Sequence, residues 1–235
     1  MNAVPVEVTD VVLGPISAFL SFNSTLETEA AVDLYPQASG QVMTLHVEEG
    51  HRVQTGEPLL QIDDRELRVE LNEAEINAQH LESSFARIQE LSNRRLLNQQ
   101  EFDDKKFQLD QARLRVDRAK LALEHATVRA PFDGVISARE VQVGARVGSG
   151  TKLFSLVKLD DITARVFVPG RYLAAVAENQ PVIVTSEFLP DRKFEGWVKR
   201  ISPVVDPKSG TFKVTVGVRG GETPLAPGLF VNVQI

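Results

Sequence analysis

The segment GQVMTLHVEEGHRVQTGEPLLQI, residues 40–62, recurs as GVISAREVQVGARVGSGTKLFSL, residues 134–156. Gly40, Val42, Gly50, Arg52, Val53, Gly56, Leu59, Leu60 and Ile62 align with Gly134, Ile136, Gly144, Arg146, Val147, Gly150, Leu153, Phe154 and Leu156 at one constant offset. So many matches at a single spacing mark a duplicated unit. The glycines are expected to supply positive-φ turns. The aliphatic residues alternate as the inner face of strands does. Each half alone exposes an apolar face, so the two are expected to pack into one sandwich.

Residues 64–126, between the halves, differ in kind. They hold no Gly and no Pro and are rich in Leu, Ala, Glu, Gln and Arg, which are helix formers without breakers. Leu67, Leu71, Ala74, Ala78, Leu81, Phe85 and Ile88 keep the 3–4 spacing of a heptad seam. A second seam runs through Phe102, Leu109, Ala112, Val116, Ala119, Leu123 and Ala126, interrupted near its start by Lys105 or Lys106. The register breaks over Ser92–Asn98. Two facing seams with a short polar break predict an antiparallel hairpin. Arms of about 30 residues would project about 45 Å.

Outward from this core, alternation predicts a strand at Val4–Val8. Short strands punctuated by Pro and Gly follow residue 160, as in Pro181–Val184 and Phe212–Val216. That spacing suits a small β-barrel, with a short helix over Tyr172–Ala177 capping it. The expected fold is mixed α and β, elongated and multidomain. Residues 1–30 give one or more strands to the barrel, 31–63 and 127–158 form the two sandwich halves, 64–126 the hairpin, and 159–235 the barrel.

The 235 residues suffice for two or three small domains. A net charge of −6 does not suggest nucleic acid as a partner. With no cysteine, disulfides, thiolate chemistry and cysteine–zinc sites are excluded. No apolar run approaches the ~20 residues that span a bilayer. Met1–Thr9 lacks the basic and apolar segments of a signal peptide, so an exported form is expected to be a mature or trimmed chain.

No residue pattern argues for catalysis, a cofactor or a metal. His46, His51, His80 and His125 are scattered without ligand spacing. Met1 and Met43 do not make a methionine-rich copper or silver site. Asp63-Asp64, Asp103-Asp104 and Asp160-Asp161 read as element-end carboxylates rather than an acid–base pair. Gly144, Gly148 and Gly150 lack the helix and Lys-Ser/Thr of a phosphate loop.

A glycine-punctuated half, a coiled-coil hairpin and a second such half together resemble the periplasmic adaptor or membrane fusion (HlyD-like) family. The hairpin exit Thr127-Val128-Arg129-Ala130-Pro131-Phe132-Asp133-Gly134 is similar to the family's. Val204–Thr211 and Pro227–Val231 resemble its barrel signatures. The resemblance covers essentially the whole chain. It implies a non-enzymatic adaptor of a tripartite efflux pump, without cofactor. Such an adaptor bridges an inner-membrane RND transporter and an outer-membrane channel and exports small molecules. An ABC-type or type I secretion adaptor is the alternative.

The resemblance further implies a periplasmic location, attachment to the inner membrane through a segment outside this chain, and a homo-oligomer, hexameric in the pump. RND-type members usually continue into a membrane-proximal domain, so the stop at Ile235 reads as a truncation, a short variant or a compact subclass. The family's tip motif falls on Arg87, Leu91 and Asn98, with Asn where the family has Ser. Arg94 and Arg95 add positive charge that could pair with a partner's carboxylates or carbonyls. Ile62–Arg65 and Ala126–Pro131 are candidate hinges. The halves also resemble lipoyl and biotinyl carrier domains. The junction Gln61-Ile62-Asp63-Asp64-Arg65 holds no acceptor lysine, which weighs against a carrier subunit.

Overall fold

The structure, a computed structural model, describes residues 19–94, 98–219 and 225–235. The strand expected at Val4–Val8 lies outside these residues. The chain divides into two compact units, one of them Thr28–Asp160 and the other including the chain from Asp161 on.

The first described strand, β1 (Ser21–Thr28), belongs to the second of these units. The chain then enters the repeat unit through β2 (Ala31–Leu34), β3 (Gly40–Leu45), β4 (Arg52–Val53) and β5 (Pro58–Ile62). Helices α1 (Arg65–Asn93) and α2 (Gln99–His125) follow, and then β6 (Thr127–Arg129), β7 (Gly134–Arg139), β8 (Arg146–Val147) and β9 (Phe154–Val157). The strands form two four-stranded sheets, ordered β2-β9-β7-β4 and β6-β5-β3-β8.

This order shows what the duplication does. Each half places its short middle strand in the sheet of the other half: β4 pairs with β7, and β8 with β3. The exchange is symmetric to the residue. Gly40 lies opposite Val147, and Gly134 opposite Val53. Gly50 N–H donates to Ile136 O and Gly144 N–H to Val42 O, both at 2.8 Å. One apolar core results, with Val42, Leu59, Leu60 and Ile62 from one half and Ile136, Leu153, Phe154 and Leu156 from the other, all at most 1 % exposed.

The glycines divide by role, which corrects the sequence reading. Gly50, Gly56 and Gly144 adopt positive φ and make turns. Gly40 and Gly134 instead lie where neighbouring groups come close. A Cβ on Gly40 would sit 2.6 Å from Ile62 Cγ2, and one on Gly134 2.6 Å from the Val157 carbonyl oxygen. The backbone oxygen cannot step aside without opening the sheet.

The other unit is a closed barrel of β1 with β10 (Ile162–Pro169), β11 (Pro181–Ser186), β12 (Leu189–Asp206), β13 (Thr211–Val218) and β14 (Phe230–Gln234), ordered β1-β10-β13-β12-β11-β14. Closure removes free edges. Alternation places Val166, Val168, Val184, Val198, Phe212, Val214 and Val233 inside, each at most 1 % exposed. β12 shifts register against β13 twice, between Val198 and Arg200 and between Ile201 and Val205, and such bulges bend strands. The helix expected over Tyr172–Ala177 is replaced by a 3-10 turn at Gly170–Tyr172, prolonged by the i→i+3 bond from Ala175 N–H to Tyr172 O. A six-residue segment is too short to offset helix nucleation.

Gly134→Ala is expected to destabilise the repeat unit by about 1–3 kcal/mol, as overpacking does. Gly150→Ala, with nothing within 4 Å of its Cβ, should stay within about 0.5 kcal/mol. Thermal unfolding of the two variants checks the contrast, and equal effects would refute the close-approach role.

Candidate functional site

The two long helices are held at their root by the sheets. Ile62 N–H donates to Ala126 O and Asp63 N–H to Gln41 O, both at 2.8 Å. Ala126 is fully buried, and Thr127–Arg129 is paired as β6 against β5. The two segments read as hinges are therefore largely tied backbone. A side-chain chain reinforces them. Thr127 Oγ1 donates to Gln61 Oε1 at 2.6 Å, and Gln61 Nε2 donates to Asp64 Oδ2 at 3.2 Å. Arg68 pairs with Asp64 at 2.8 Å. Asp63 accepts from Arg65 Nε at 2.9 Å and Nη2 at 2.6 Å, and these bonds lower its pKa to about 2.

From that root α1 and α2 extend 29 and 27 residues, about 40 Å at 1.5 Å per residue. In α1 the half-buried positions include every residue of the expected seam, from Leu67 to Ile88, and none is fully buried. In α2 the seam holds Phe102, Leu109, Ala112, Val116, Ala119 and Leu123, with Leu109 and Ala112 buried. Two helices alone cannot enclose a seam, so a shallow core is the physical limit here. Lys105, not Lys106, is the interrupting residue. It is half-buried on the seam and turns its Nζ out to Gln108 Oε1 at 3.2 Å. Phe85 and Phe102 pack across the seam with tilted rings, centroids 5.3 Å apart and planes 46° from parallel. Arg113 pairs with Glu82 at 2.6 Å and Lys120 with Glu75 at 3.8 Å along one edge.

At the far end Arg87, Leu91 and Arg94 follow at i, i+4 and i+7, one face of the last turns of α1. All three are exposed, and Leu91 is a large apolar side chain left 40 % exposed. Arg94 caps α1, its N–H reaching Glu90 O at 3.3 Å. Arg95 lies outside the described residues. Asn98 is exposed and is the N-cap of α2, its Oδ1 accepting from Gln100 N–H at 3.1 Å. That capping role was missed in the sequence, although Asn98-Gln99-Gln100-Glu101 carries the signal of a cap with an acid three residues on. Asn and Ser are near-equal caps, so Asn in the Ser position keeps the start of α2.

Elsewhere, His51 Nδ1 accepts from Glu48 N–H at 3.2 Å, a turn contact. Among the described residues no three His, Cys, Asp or Glu side chains gather as metal ligands. No described helix is long and apolar enough to cross a membrane.

Comparison with known proteins comes to the same architecture. Residues 30–159 match the family model of the RND membrane fusion protein barrel-sandwich hybrid domain, and residues 164–235 that of the CusB-like β-barrel domain. The multidrug resistance protein MdtA of Photorhabdus laumondii is 27 % identical over 255 residues, covering 98 % of this chain and 63 % of its own length. MdtA of Proteus mirabilis is 25 % identical over 253 residues, covering 98 % and 62 %. The chain thus spans less than two thirds of these relatives. Among solved structures, a MacA-MexA chimeric protein containing the Pseudomonas aeruginosa MexA α-hairpin domain superposes with a TM-score of 0.84 at 20 % identity, over 94 % of this chain and 79 % of that one. A putative efflux transporter from Bacteroides eggerthii gives 0.76 at 23 % identity, over 92 % and 68 %. These two likenesses speak for the fold.

Two measurements test the site. The Asp63 carboxyl should titrate in NMR with a midpoint about 2, and Arg65→Gln should raise it toward ~3.9. A carboxylate with a depressed folded pKa contributes stability above its unfolded value and loses it as pH falls through the folded one. The root pair should therefore weaken below about pH 4 and be lost by about pH 2; a parent midpoint near ~3.9 would contradict the pairing. Lys105→Leu should stabilise the hairpin by about 1 kcal/mol through seam burial, read as a rise in helical melting temperature. No rise would place Lys105 off the seam.

Proposed function

Because the chain belongs to the RND membrane fusion protein family, we propose that it is the periplasmic adaptor of a tripartite efflux pump. In this reading it bridges an inner-membrane RND transporter and an outer-membrane channel for export of small molecules. The observation that carries the reading is similarity over 98 % of the chain to multidrug resistance proteins, together with a hairpin rooted in a duplicated β unit and ending in exposed Arg87, Leu91 and Arg94. Both family models describe RND-type domains or their barrels, which favours this reading over an ABC-type or type I secretion adaptor.

The parts then take roles. Residues 31–63 and 127–158 act as a lipoyl-like sandwich that serves as the joint. Residues 64–126 act as a coiled-coil arm. The barrel, residues 159–235 with a strand from residues 1–30, faces the transporter. The protein does no chemistry. It works in the periplasm, held to the inner membrane by a segment outside this chain. Several copies surround the conduit, six being the number implied by the family resemblance.

At the tip, Leu91 offers apolar area, while Arg87, Arg94 and Arg95 offer bidentate donors to carboxylates or carbonyls on a channel. Asn98 adds a polar side chain beside them. Exposed ion pairs contribute only ~0–1 kcal/mol each, so affinity accumulates over several copies.

Photo-crosslinking in cells carrying transporter and channel tests this. A reactive residue at Leu91 should give an adduct with the channel, and one at the exposed barrel residue Phe167 should not. Leu91→Asp should abolish export while leaving the unfolding temperature unchanged. Normal export by that variant, or no channel adduct at Leu91 in a folded exported chain, would overturn the assignment of the tip.

A further inference from the structure

The duplication relates more than the two cores. At the same offset Val32, Asp33, Ser155 and Leu156 correspond to Ala126, Thr127, Gln61 and Ile62. Val32 lies opposite Leu156, as Ile62 bonds to Ala126 at the hairpin root. Ser155 Oγ donates to Asp33 Oδ1 at 2.8 Å, joining the two positions that Thr127 and Gln61 join in the other half. The repeat unit therefore has two equivalent openings. The hairpin leaves through one, and the chain joining β1 to β2 and β9 to β10 passes through the other. The openings differ in one clasp. Lys152 Nζ lies 3.1 Å from Asp33 Oδ1 and 3.0 Å from Glu140 Oε1. Hydrogen bonds to Glu140 first and Asp33 second hold its pKa above the usual lysine value. The counterparts of Lys152, Asp33 and Glu140 in the other half are Pro58, Thr127 and His46. These cannot make such a clasp, yet the equivalent strands form, so the strands do not require it.

Glu140 opens the segment that braces the hairpin root. That segment turns beside β3: Gln41 Nε2 donates to Gly144 O at 3.0 Å, Gly144 N–H to Val42 O at 2.8 Å and Val42 N–H to Ala145 O at 2.9 Å. Gln41 O in turn accepts from Asp63 N–H at 2.8 Å. A continuous route thus runs from Asp33 on β2 through Lys152, the segment Glu140–Gly144 and Gln41 to Asp63. We propose that Lys152 is a positioning residue that couples the two openings, so that a displacement of β2 is felt at the Asp63 bond of the hairpin root. Coupling is carried by contiguous bonded and packed groups, and it acts equally in both directions. This deepens the adaptor reading, on which the use of the coupling rests: there it carries movement of the transporter-facing barrel to the arm.

Amide hydrogen exchange in the full chain tests this, with the Asp63 N–H as the reporter. Asp33→Asn keeps an acceptor for Ser155 and removes the charge facing Lys152. It should speed exchange at Asp63, which it does not touch, by about two- to fivefold, the size an exposed ion pair supports. Glu140→Gln and Lys152→Met should do the same. All three cut one link, so Asp33→Asn placed in the Lys152→Met background should add nothing further at Asp63. The unfolding temperature should stay that of the parent. Faster exchange confined to β2 and β9 would overturn the coupling. So would an equal response to Asp33→Asn with and without Lys152, which marks a route through the core. Faster exchange at every amide with a lowered unfolding temperature marks general loosening and would overturn it as well. A response at Asp63 without a channel adduct at Leu91 sinks the adaptor reading alone; an adduct without that response sinks the coupling alone.

Discussion

The backbone bond from Ile62 N–H to Ala126 O joins the chain where it leaves the first repeat to where it re-enters the second. Sixty-odd residues separate the two in sequence, yet both side chains are buried in one core. A long helical insertion can be accommodated because loop closure costs little more as a loop lengthens. The sheets hold the ends together whatever projects between them. The hairpin is thus anchored at the root by β5, β6 and the Thr127–Gln61–Asp64 bonds.

That root explains the division of labour along the arm. Near the sheets the chain is tied by backbone pairing. Beyond it, two helices share a seam that can be only half-covered, with the ion pairs of Glu75 and Glu82 along one edge. A third element would deepen that core.

Much of this was legible in the sequence because it is periodic. The repeat fixed which residues form the shared core, and the 3–4 spacing located both seams and the break between them. What was not legible depends on partners in space. Gly40 and Gly134 look like turn glycines, but pairing within each half, β3 with β5 and β7 with β9, brings Ile62 and Val157 against them. Ala126–Pro131 looks like a link before a proline, but β5 supplies a partner strand. Asn98 stands out as a departure from a tip motif, whereas its local work is to cap α2. The Tyr172–Ala177 helix failed for length alone. The strand exchange between halves could not be read at all, because β4 and β8 are two residues each. The tip residues were found through family resemblance, and local pattern alone would have left them as ordinary helix-end side chains.

The central claim is that a self-sufficient β framework carries a hairpin whose reach performs the function. It is tested most directly by replacing residues 65–125 with a short Asn-Gly turn and measuring folding and export together. The account predicts a cooperatively folded protein with both β units intact and no export. Export retained without the hairpin, or a repeat unit that no longer folds, would contradict it.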